Sequence, residues 1–399
     1  MQKTFVVVAG LLLAVPALEA HMAHPALAAD AALPDTAGPA QQTRKGVAAA
    51  QAFMATFDAQ GKATVQFPFV AQKSATLARF RRTTPGGPAE PVTKANVNTP
   101  VARGPGMGPP GGFIGEQYGT AMWSNFPVSD VPRPGRQMGS LTEAQRTAAM
   151  TLLQTLLSQK GFQKMQDIMG SDQALTDAGT NFASGKAVYT IAVFGEPSEA
   201  TPWMVQFGGH HLGLNIVIDG AHGVMTPTLT GAQPAVYQAG GKTVRVLAGE
   251  NDKAFALLDA LTPAQRKQAI LPYKVEDLVM GPGHDGETIL PEGLKGSAMT
   301  PEQKMLLLDV VSEWAGIINP VYAAPRLKEI QQDLNETWFA WSGPTTHAPD
   351  HNGSSYYRIQ GPHLLIEFSP QGVGGDPTLH VHTVYRDPTN SYGNRMTVP

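Results

Sequence analysis

The sequence contains no cysteine, and this absence removes several kinds of chemistry at once. Thiol catalysis, cysteine-held iron–sulfur clusters and thiolate-bound zinc are excluded. Disulfide bonds are excluded as well, so the stability of the folded chain must come from a buried apolar core. Such a core is within reach because 42% of the 399 residues are hydrophobic. This length fits one large domain or two of ordinary size.

The sequence also lacks long apolar runs and long basic runs. Its clearest apolar stretch, residues 5–15, has 11 residues, well below the ~20 that a membrane-spanning helix needs. We therefore expect no integral membrane segment. The net charge is −3, and lysine and arginine form no long cluster, which disfavours nucleic acid and anionic membranes as partners.

Several familiar catalytic motifs are missing too. The glycine-rich stretches GGPAEP and GPGMGPPGG lack the Gly-Lys-Ser/Thr ending of a phosphate-binding loop. No Gly-x-Ser-x-Gly elbow occurs, which disfavours an ordinary serine hydrolase. The His-Glu-x-x-His motif of many zinc proteases is also absent from the sequence.

The first residues have the build of a secretory signal peptide. Lys3 precedes the apolar stretch, and small residues follow it. Cleavage after Ala20, Ala28 or Ala29 fits this pattern, and we assign residues 1–28 to the signal. The expected location of the mature protein is therefore periplasmic or secreted.

The distribution of glycine and proline indicates how the rest of the chain is divided into segments. They number 42 and 33, and they are concentrated in residues 83–115, which predicts a long flexible loop or insertion. Residues 29–82 ahead of it form an N-terminal helical segment, with a short helix expected at 43–57. Residues 116–399 form the main domain.

Three segments carry the same helix-start signature, in which a hydroxyl residue is followed three positions later by Glu or Gln. These pairs are Ser140 with Glu143, Thr262 with Gln265, and Thr300 with Gln303. Strands are expected at 187–194, 203–207, 212–218, 337–341, 356–360, 363–368 and 379–385. The clustering of strands predicts an α+β fold, with a largely antiparallel β-sheet and capped helices packed against it.

The histidines are the strongest functional signal. Residues two apart in a strand project from the same face, so His380 and His382 should aim both imidazoles into one space. This arrangement suits Zn²⁺ or a copper ion. The Gly-His-His segment adds His210 and His211, where two glycines in a strand-like run indicate a bulge or the close approach of another group. In regular strand geometry only one of these two faces the metal.

Other polar groups near these motifs could take part in chemistry. Glu367 could be a ligand, a carboxylate that accepts from an imidazole N–H, or a general base. Arg358, Arg386 and Asp387 could hold an anionic or carbonyl-bearing substrate. The alternative is a set of ion pairs at the sheet edge. The histidine pairs could likewise be sheet residues that bond to backbone carbonyls.

Five segments resemble a widespread family of uncharacterised bacterial and fungal proteins, classed as a domain of unknown function. They are VFGEPSEATPWMVQFGGHHLGLNIVIDG, TPTLTGAQPA, TWFAWSG, YYRIQGPHLLIEF and HVHTVYRDPTNSYG, in the family's order. The likeness extends over residues 122–393 and more loosely from 43. Relative to the family pattern, the stretch at 83–115 is extra, and Gly208 stands where a larger residue is common. The resemblance implies no reaction or cofactor.

These observations lead to three hypotheses of different classes. The first is an exported metal-dependent enzyme, hydrolytic, with zinc held by His380, His382 and one or both of His210 and His211. The second is a copper oxidoreductase, in which cleavage after Ala20 would add His21 as a ligand. The third is a non-catalytic protein that binds metal or a small ligand. If the protein is an enzyme, the sequence leaves open whether its substrate is a small molecule or a polymer.

Overall fold

The structure of the chain is a computed structural model that describes residues 38–82, 87–99, 112–180 and 185–397. The predicted signal peptide, residues 1–28, lies outside this part of the chain, as does the proposed ligand His21. The stretch at 83–115 is described only in part. Within the described ranges, no helix has the length and apolar character needed to cross a membrane.

The helices of the described residues come mostly in consecutive pairs, with the strands between these pairs. The α-helices are α1 (Pro39–Met54), α2 (Ala59–Lys62), α3 (Glu143–Leu156), α4 (Gln159–Asp177), α5 (Ala248–Ala260), α6 (Pro263–Ala269), α7 (Pro301–Ala315), α8 (Pro320–Gln332) and α9 (Asn394–Thr397). The helix expected at 43–57 is α1. It packs against α3, where Gly46 leaves room for the side chain of Leu156.

Two of the three predicted capping boxes are confirmed. Thr262 and Thr300 each accept a hydrogen bond from the third backbone N–H of the helix, and the glutamine there bonds back. The prediction at Ser140 is wrong by two residues, because Thr142 caps α3 and pairs with Gln145. The Ser140 hydroxyl instead donates to the carbonyl of Gln137, at 2.7 Å.

Seven strands correspond to the expected ones, with ends shifted by up to three residues, and further strands lie before and between them. They are β1 (Gln66–Phe67), β2 (Thr76–Arg82), β3 (Ala89–Pro91), β4 (Phe113–Tyr118), β5 (Ala121–Trp123), β6 (Arg136–Gln137), β7 (Thr190–Phe194), β8 (Trp203–Gly208), β9 (Leu212–Asp219), β10 (His222–Val224), β11 (Thr228–Ala232), β12 (Val236–Ala239), β13 (Lys242–Arg245), β14 (Leu294–Lys295), β15 (Trp338–Ser342), β16 (Tyr356–Gly361), β17 (Leu364–Pro370) and β18 (Val381–Arg386).

A twelve-stranded sheet forms the centre of the fold. Its strand order is β1-β7-β8-β9-β11-β18-β17-β16-β15-β14, with β6 beside β7 and β10 beside β9. The pairings are antiparallel except that of β1 with β7. A four-stranded sheet has the order β3-β2-β4-β5, and β12 pairs with β13. The predicted α+β class with a largely antiparallel sheet is confirmed.

The two faces of the large sheet have different neighbours, as alternation along β18 shows. Val381 and Tyr385 belong to the main apolar core, which includes Trp314 of α7. Val384 points to the opposite face and packs with Trp123 of β5 in a separate apolar cluster. Because side chains alternate in a strand, His382 shares the face of Val384.

The cap of α3 provides a test of the corrected helix start. Replacing Thr142 with Ala removes the acceptor for the Gln145 N–H and should lower the free energy of unfolding by about 1 kcal/mol. Ser140→Ala is the matched control, because it removes the neighbouring hydroxyl outside the cap, and a change under about 0.5 kcal/mol is expected. Urea denaturation measures both. Equal losses in the two variants would contradict the assignment of Thr142 as the cap.

Candidate metal centre

Histidines from two distant parts of the chain meet at one end of the twelve-stranded sheet. His210 and His211 lie between β8 and β9, His380 directly precedes β18, and His382 lies inside it. All four side chains are buried. The central sheet therefore assembles the two histidine motifs into one cluster.

The Gly-His-His segment is a hairpin turn and not a bulged strand. Gly208 pairs with Gly213, and the Gly209 N–H donates to the Leu212 carbonyl at 2.9 Å, which closes the turn. The ring of Tyr189 approaches Gly209 so closely that a Cβ there would lie 2.8 Å from it. The glycine thus marks the close approach of another group, and it leaves space for an aromatic ring behind the histidines.

Three imidazole nitrogens converge within the cluster. The Nε2 atom of His380 lies 3.1 Å from Nε2 of His382 and 3.3 Å from Nε2 of His211. Zinc–nitrogen bonds of about 2.0–2.1 Å in a tetrahedron separate two ligand nitrogens by about 3.3–3.4 Å. His211, His380 and His382 therefore form a group that could hold a metal ion with little movement. The shared space expected for His380 and His382 is confirmed.

The Nδ1 atoms of His380 and His382 point away from this meeting point. Nδ1 of His380 lies 2.7 Å from the Val373 carbonyl, to which it can only donate, so the proton sits on Nδ1 and the Nε2 lone pair is exposed to the cluster. Nδ1 of His382 lies 3.4 Å from the amide nitrogen Nδ2 of Asn125. A half-turn of this amide presents its oxygen to the imidazole.

The Nδ1 atom of His211 lies 2.5 Å from an oxygen of Asp172, on α4. The other oxygen of this carboxylate accepts from the Tyr189 hydroxyl at 2.6 Å. Both Asp172 and Tyr189 are buried. Burial, and then the Asp172 charge, raise the pKa of the Tyr189 hydroxyl well above its usual value, so this tyrosine stays a hydrogen-bond donor.

The buried setting determines the protonation of the clustered histidines. Burial first, and then the neighbouring His211, lower the pKa of His380 to about 4. Burial first, and then His380 and His211, lower the pKa of His382 well below its usual value. Both rings are therefore neutral at pH 7, which is the form of histidine that binds a metal ion.

A buried arginine holds the turn in place. Arg133 donates to the backbone carbonyls of Val131, Ser124 at 2.7 Å, Phe126 at 2.6 Å and Gly209 at 3.0 Å. Burial lowers the pKa of its guanidinium to about 9, so Arg133 remains charged at pH 7. The bond to Gly209 ties the start of the histidine turn to the segment that follows β5.

His210 contacts the cluster from the side. Its ring stacks on that of His211 with centroids 3.8 Å apart. Its Nδ1 lies 3.9 Å from Asp172 Oδ1, and these two residues with His211 form a second group that could hold a metal ion. Burial, and then the other histidines, lower the pKa of His210 well below its usual value. Of the two adjacent histidines, His211 is the one that belongs to the group with His380 and His382.

Glu367 joins a loop to the sheet. One of its oxygens accepts from the Val279 N–H at 2.9 Å and from the Tyr356 hydroxyl at 2.6 Å. The other accepts from the Met280 N–H at 2.7 Å. Burial raises the pKa of this carboxyl. All of these described contacts are with protein groups away from the histidine cluster.

The other three predicted site residues, Arg358, Arg386 and Asp387, also lie in ion pairs within the protein. Their partners are, in that order, Glu292 at 2.7 Å, Glu116 at 2.6 Å and Arg326 at 3.1 Å. Ion pairs were the alternative to substrate binding, although Arg358 and Arg386 stand on the inner strands β16 and β18 and not at the sheet edge. The structure does not bring these side chains together with the histidines.

The sequence prediction missed Asp172, Tyr189, Asn125 and Arg133. A signal for Asp172 was present, because it follows Met165 and Ile168 on the buried face of α4. An acidic residue on the apolar stripe of an amphipathic helix needs a buried partner. Which partner it has depends on the tertiary contact with the histidine turn.

Gly231 of β11 provides a test of the packing between the two histidine segments. A Cβ at this position would lie 2.8 Å from the Val381 carbonyl oxygen, 3.1 Å from the His211 ring and 3.3 Å from the His382 ring. Gly231→Ala should therefore lower the free energy of unfolding by ~1–3 kcal/mol and weaken metal binding. Calorimetry and metal titration check the two effects.

Gly372→Ala is the matched control for this substitution. Gly372 lies in the loop after β17, and an added Cβ there meets nothing within 4 Å. Its stability should stay within about 0.5 kcal/mol of the native protein. A Gly231→Ala protein as stable as this control, with unchanged metal affinity, would contradict the described packing of the rings.

Substitution of Glu367 tests whether this side chain stabilises the fold. Glu367→Gln places an amide N–H₂ against donors that now bond to the carboxylate, so the free energy of unfolding should fall by ~1–3 kcal/mol. Metal content should stay unchanged. Denaturation and elemental analysis measure the two quantities, with the exposed Glu276→Gln as control. Loss of metal from a stably folded variant would instead support a direct role at the centre.

Comparison of the chain with known protein families identifies one that matches most of its length. The family model described as "Protein of unknown function (DUF3500)" matches residues 114–394 of the 399. This range includes both histidine motifs and Asp172, and the match confirms the resemblance to a family classed as a domain of unknown function. No curated protein and no solved structure matches the chain. The chain therefore belongs to the DUF3500 family.

Proposed function

We propose that this protein is an exported, metal-dependent hydrolase with a zinc ion bound by His211, His380 and His382. The observation that supports this proposal most directly is the convergence of three Nε2 atoms at 3.1 and 3.3 Å. Three histidine ligands leave one tetrahedral position for water or substrate, which is typical of catalytic zinc sites. Zinc in such a site acts as a Lewis acid and lowers the pKa of a water molecule to about 7.

The residues of the chain hold and orient the ligands. Asp172 and the Val373 carbonyl accept from Nδ1 of His211 and His380, which directs the Nε2 atoms of these two rings inward. Asn125 contacts Nδ1 of His382. Burial of the rings keeps bulk water away from the ligands and strengthens their electrostatic interactions with a bound ion.

Proton transfer by Glu367 and substrate binding by Arg358, Arg386 and Asp387 are not part of this proposal. Their described partners are protein groups that link the loops, strands and helices of the fold. We assign these four side chains to stabilising the sheet. The expected export remains part of the proposal, on the strength of the predicted signal at residues 1–28.

A copper oxidoreductase is the second candidate. It is favoured by the composition of the Nε2 group, which contains three imidazole nitrogens and no carboxylate oxygen. Imidazole ligands suit copper as well as zinc, so identification of the bound metal decides between the two.

Elemental analysis of the untagged protein, produced with its own leader, tests the proposal. We expect one zinc per chain, a mature N-terminus within the 20–30 region, and hydrolysis of chromogenic ester or phosphoester substrates that zinc restores to metal-stripped protein. Redox-active copper in the same position would favour the second candidate. Bound zinc without hydrolysis, and without binding of azide at an open position, would favour a non-catalytic metal protein.

Histidine substitutions locate the metal. His380→Ala/His382→Ala should lose zinc because it removes two of three ligands, whereas His347→Ala/His351→Ala removes two loop histidines whose Nδ1 atoms bond to nearby backbone carbonyls and should retain it. Circular dichroism establishes that each variant is folded. A folded native protein that neither contains nor takes up metal would sink both metal-dependent functions.

A further inference from the structure

We propose that Asp172, braced by Tyr189, is a positioning residue that makes His211 the strongest of the three metal ligands. This inference rests on the proposed metal site and deepens it, because it says how the protein sets the affinity of that site. It does not depend on the reaction that the bound metal performs.

The three ligand histidines have unequal partners behind them. His380 has a backbone carbonyl at Nδ1, and His382 has a side-chain amide. His211 alone has a carboxylate, at 2.5 Å. A carboxylate accepts a stronger hydrogen bond than a neutral oxygen and makes the imidazole a better electron donor at its other nitrogen. The charge of Asp172 therefore acts on the metal through the ring of His211.

Tyr189 fixes the carboxylate in this position. Its hydroxyl donates to the second oxygen of Asp172 at 2.6 Å, which orients the first oxygen toward His211. Its ring fills the space beside Gly209, at the start of the turn that carries His211. One side chain thus braces both the carboxylate on α4 and the turn between β8 and β9, so that His211 is oriented before a metal ion binds.

The geometry favours a hydrogen bond between Asp172 and His211 over a second metal between them. Two ligand atoms on one zinc ion are separated by about 3.3 Å, given bonds of about 2.0–2.1 Å. The separation of 2.5 Å between Asp172 and His211 is too short for such a pair and fits a charge-assisted hydrogen bond. The buried positive charge of Arg133 near Asp172 also disfavours a second cation there.

The experiment compares Asp172→Asn with native full-length protein in a competition between zinc and a chromophoric chelator. The substitution keeps the shape of the side chain and removes its charge, so zinc affinity should fall 10–100-fold. Asp177→Asn is the matched control, since it makes the same change at an exposed position on the same helix, where Asp177 accepts from Gln173. Its affinity should equal that of the native protein.

Cobalt substitution separates positioning from simple support of the fold. The visible absorption of Co²⁺ reports ligand geometry, so the bands of Asp172→Asn should shift while those of Asp177→Asn stay in place. Tyr189→Phe keeps the ring beside Gly209 and removes only the hydroxyl. It should lower zinc affinity in the same direction as Asp172→Asn but by a smaller factor, and it keeps the inference testable if Asp172→Asn does not fold.

Two results would overturn the inference. Zinc affinities of Asp172→Asn and Tyr189→Phe within threefold of native, with unchanged cobalt spectra, would show that the pair only supports the fold. Two zinc ions per native chain would show that Asp172 is itself a ligand. Either result leaves the hydrolase proposal standing, whereas tight zinc binding without hydrolysis sinks that proposal and leaves the role of Asp172 intact.

Discussion

The pairing of β11 with two strands at once is the constraint on which the histidine cluster depends. Thr230 of β11 pairs with Leu212 on one side and with Thr383 on the other. Leu212 directly follows His211, and Thr383 directly follows His382, so one register sets the spacing of two distant segments, in which His211 and His380 are 169 residues apart in the chain. A slip of one residue would turn His382 to the opposite face of the sheet.

Burial then determines the protonation states of this cluster. Desolvation keeps His380 and His382 neutral at pH 7, and the Val373 carbonyl that accepts from Nδ1 of His380 leaves the Nε2 lone pair of that ring facing the cluster. The carboxylate of Asp172 is tolerated in the interior because His211 and Tyr189 satisfy its oxygens. The residues that match the DUF3500 family include the whole cluster, and the chemistry proposed for it rests on the geometry alone.

Local signals were predictable where one interaction dominates over a few residues. The capping boxes at Thr262 and Thr300 were correct because each helix start has one candidate hydroxyl followed by proline. Before α3 two hydroxyls compete, Ser140 and Thr142, and each has a Glu or Gln three residues later. The contacts of the preceding turn decide between them, and a sequence pattern does not contain those contacts.

Charged residues were harder to assign for a related reason. Glu367 and Arg386 stand in apolar strands, which marks them as unusual, but a catalytic group and a buried ion-pair partner look the same in the sequence. The loop N–H groups that bond to Glu367 and the carboxylate of Glu116 that pairs with Arg386 come from distant segments. Only the folded chain shows that these charges are satisfied by protein groups.

By itself, the sequence determined the absence of thiol chemistry, the α+β class and the shared space of His380 and His382, because composition and strand alternation are local properties. The tertiary structure alone decided that Gly-His-His is a turn, that His211 joins the pair, and that Asp172 stands behind it. These outcomes depend on strand register and on helix packing across the sheet. Both arise from contacts between residues far apart in the chain, and no local pattern records them.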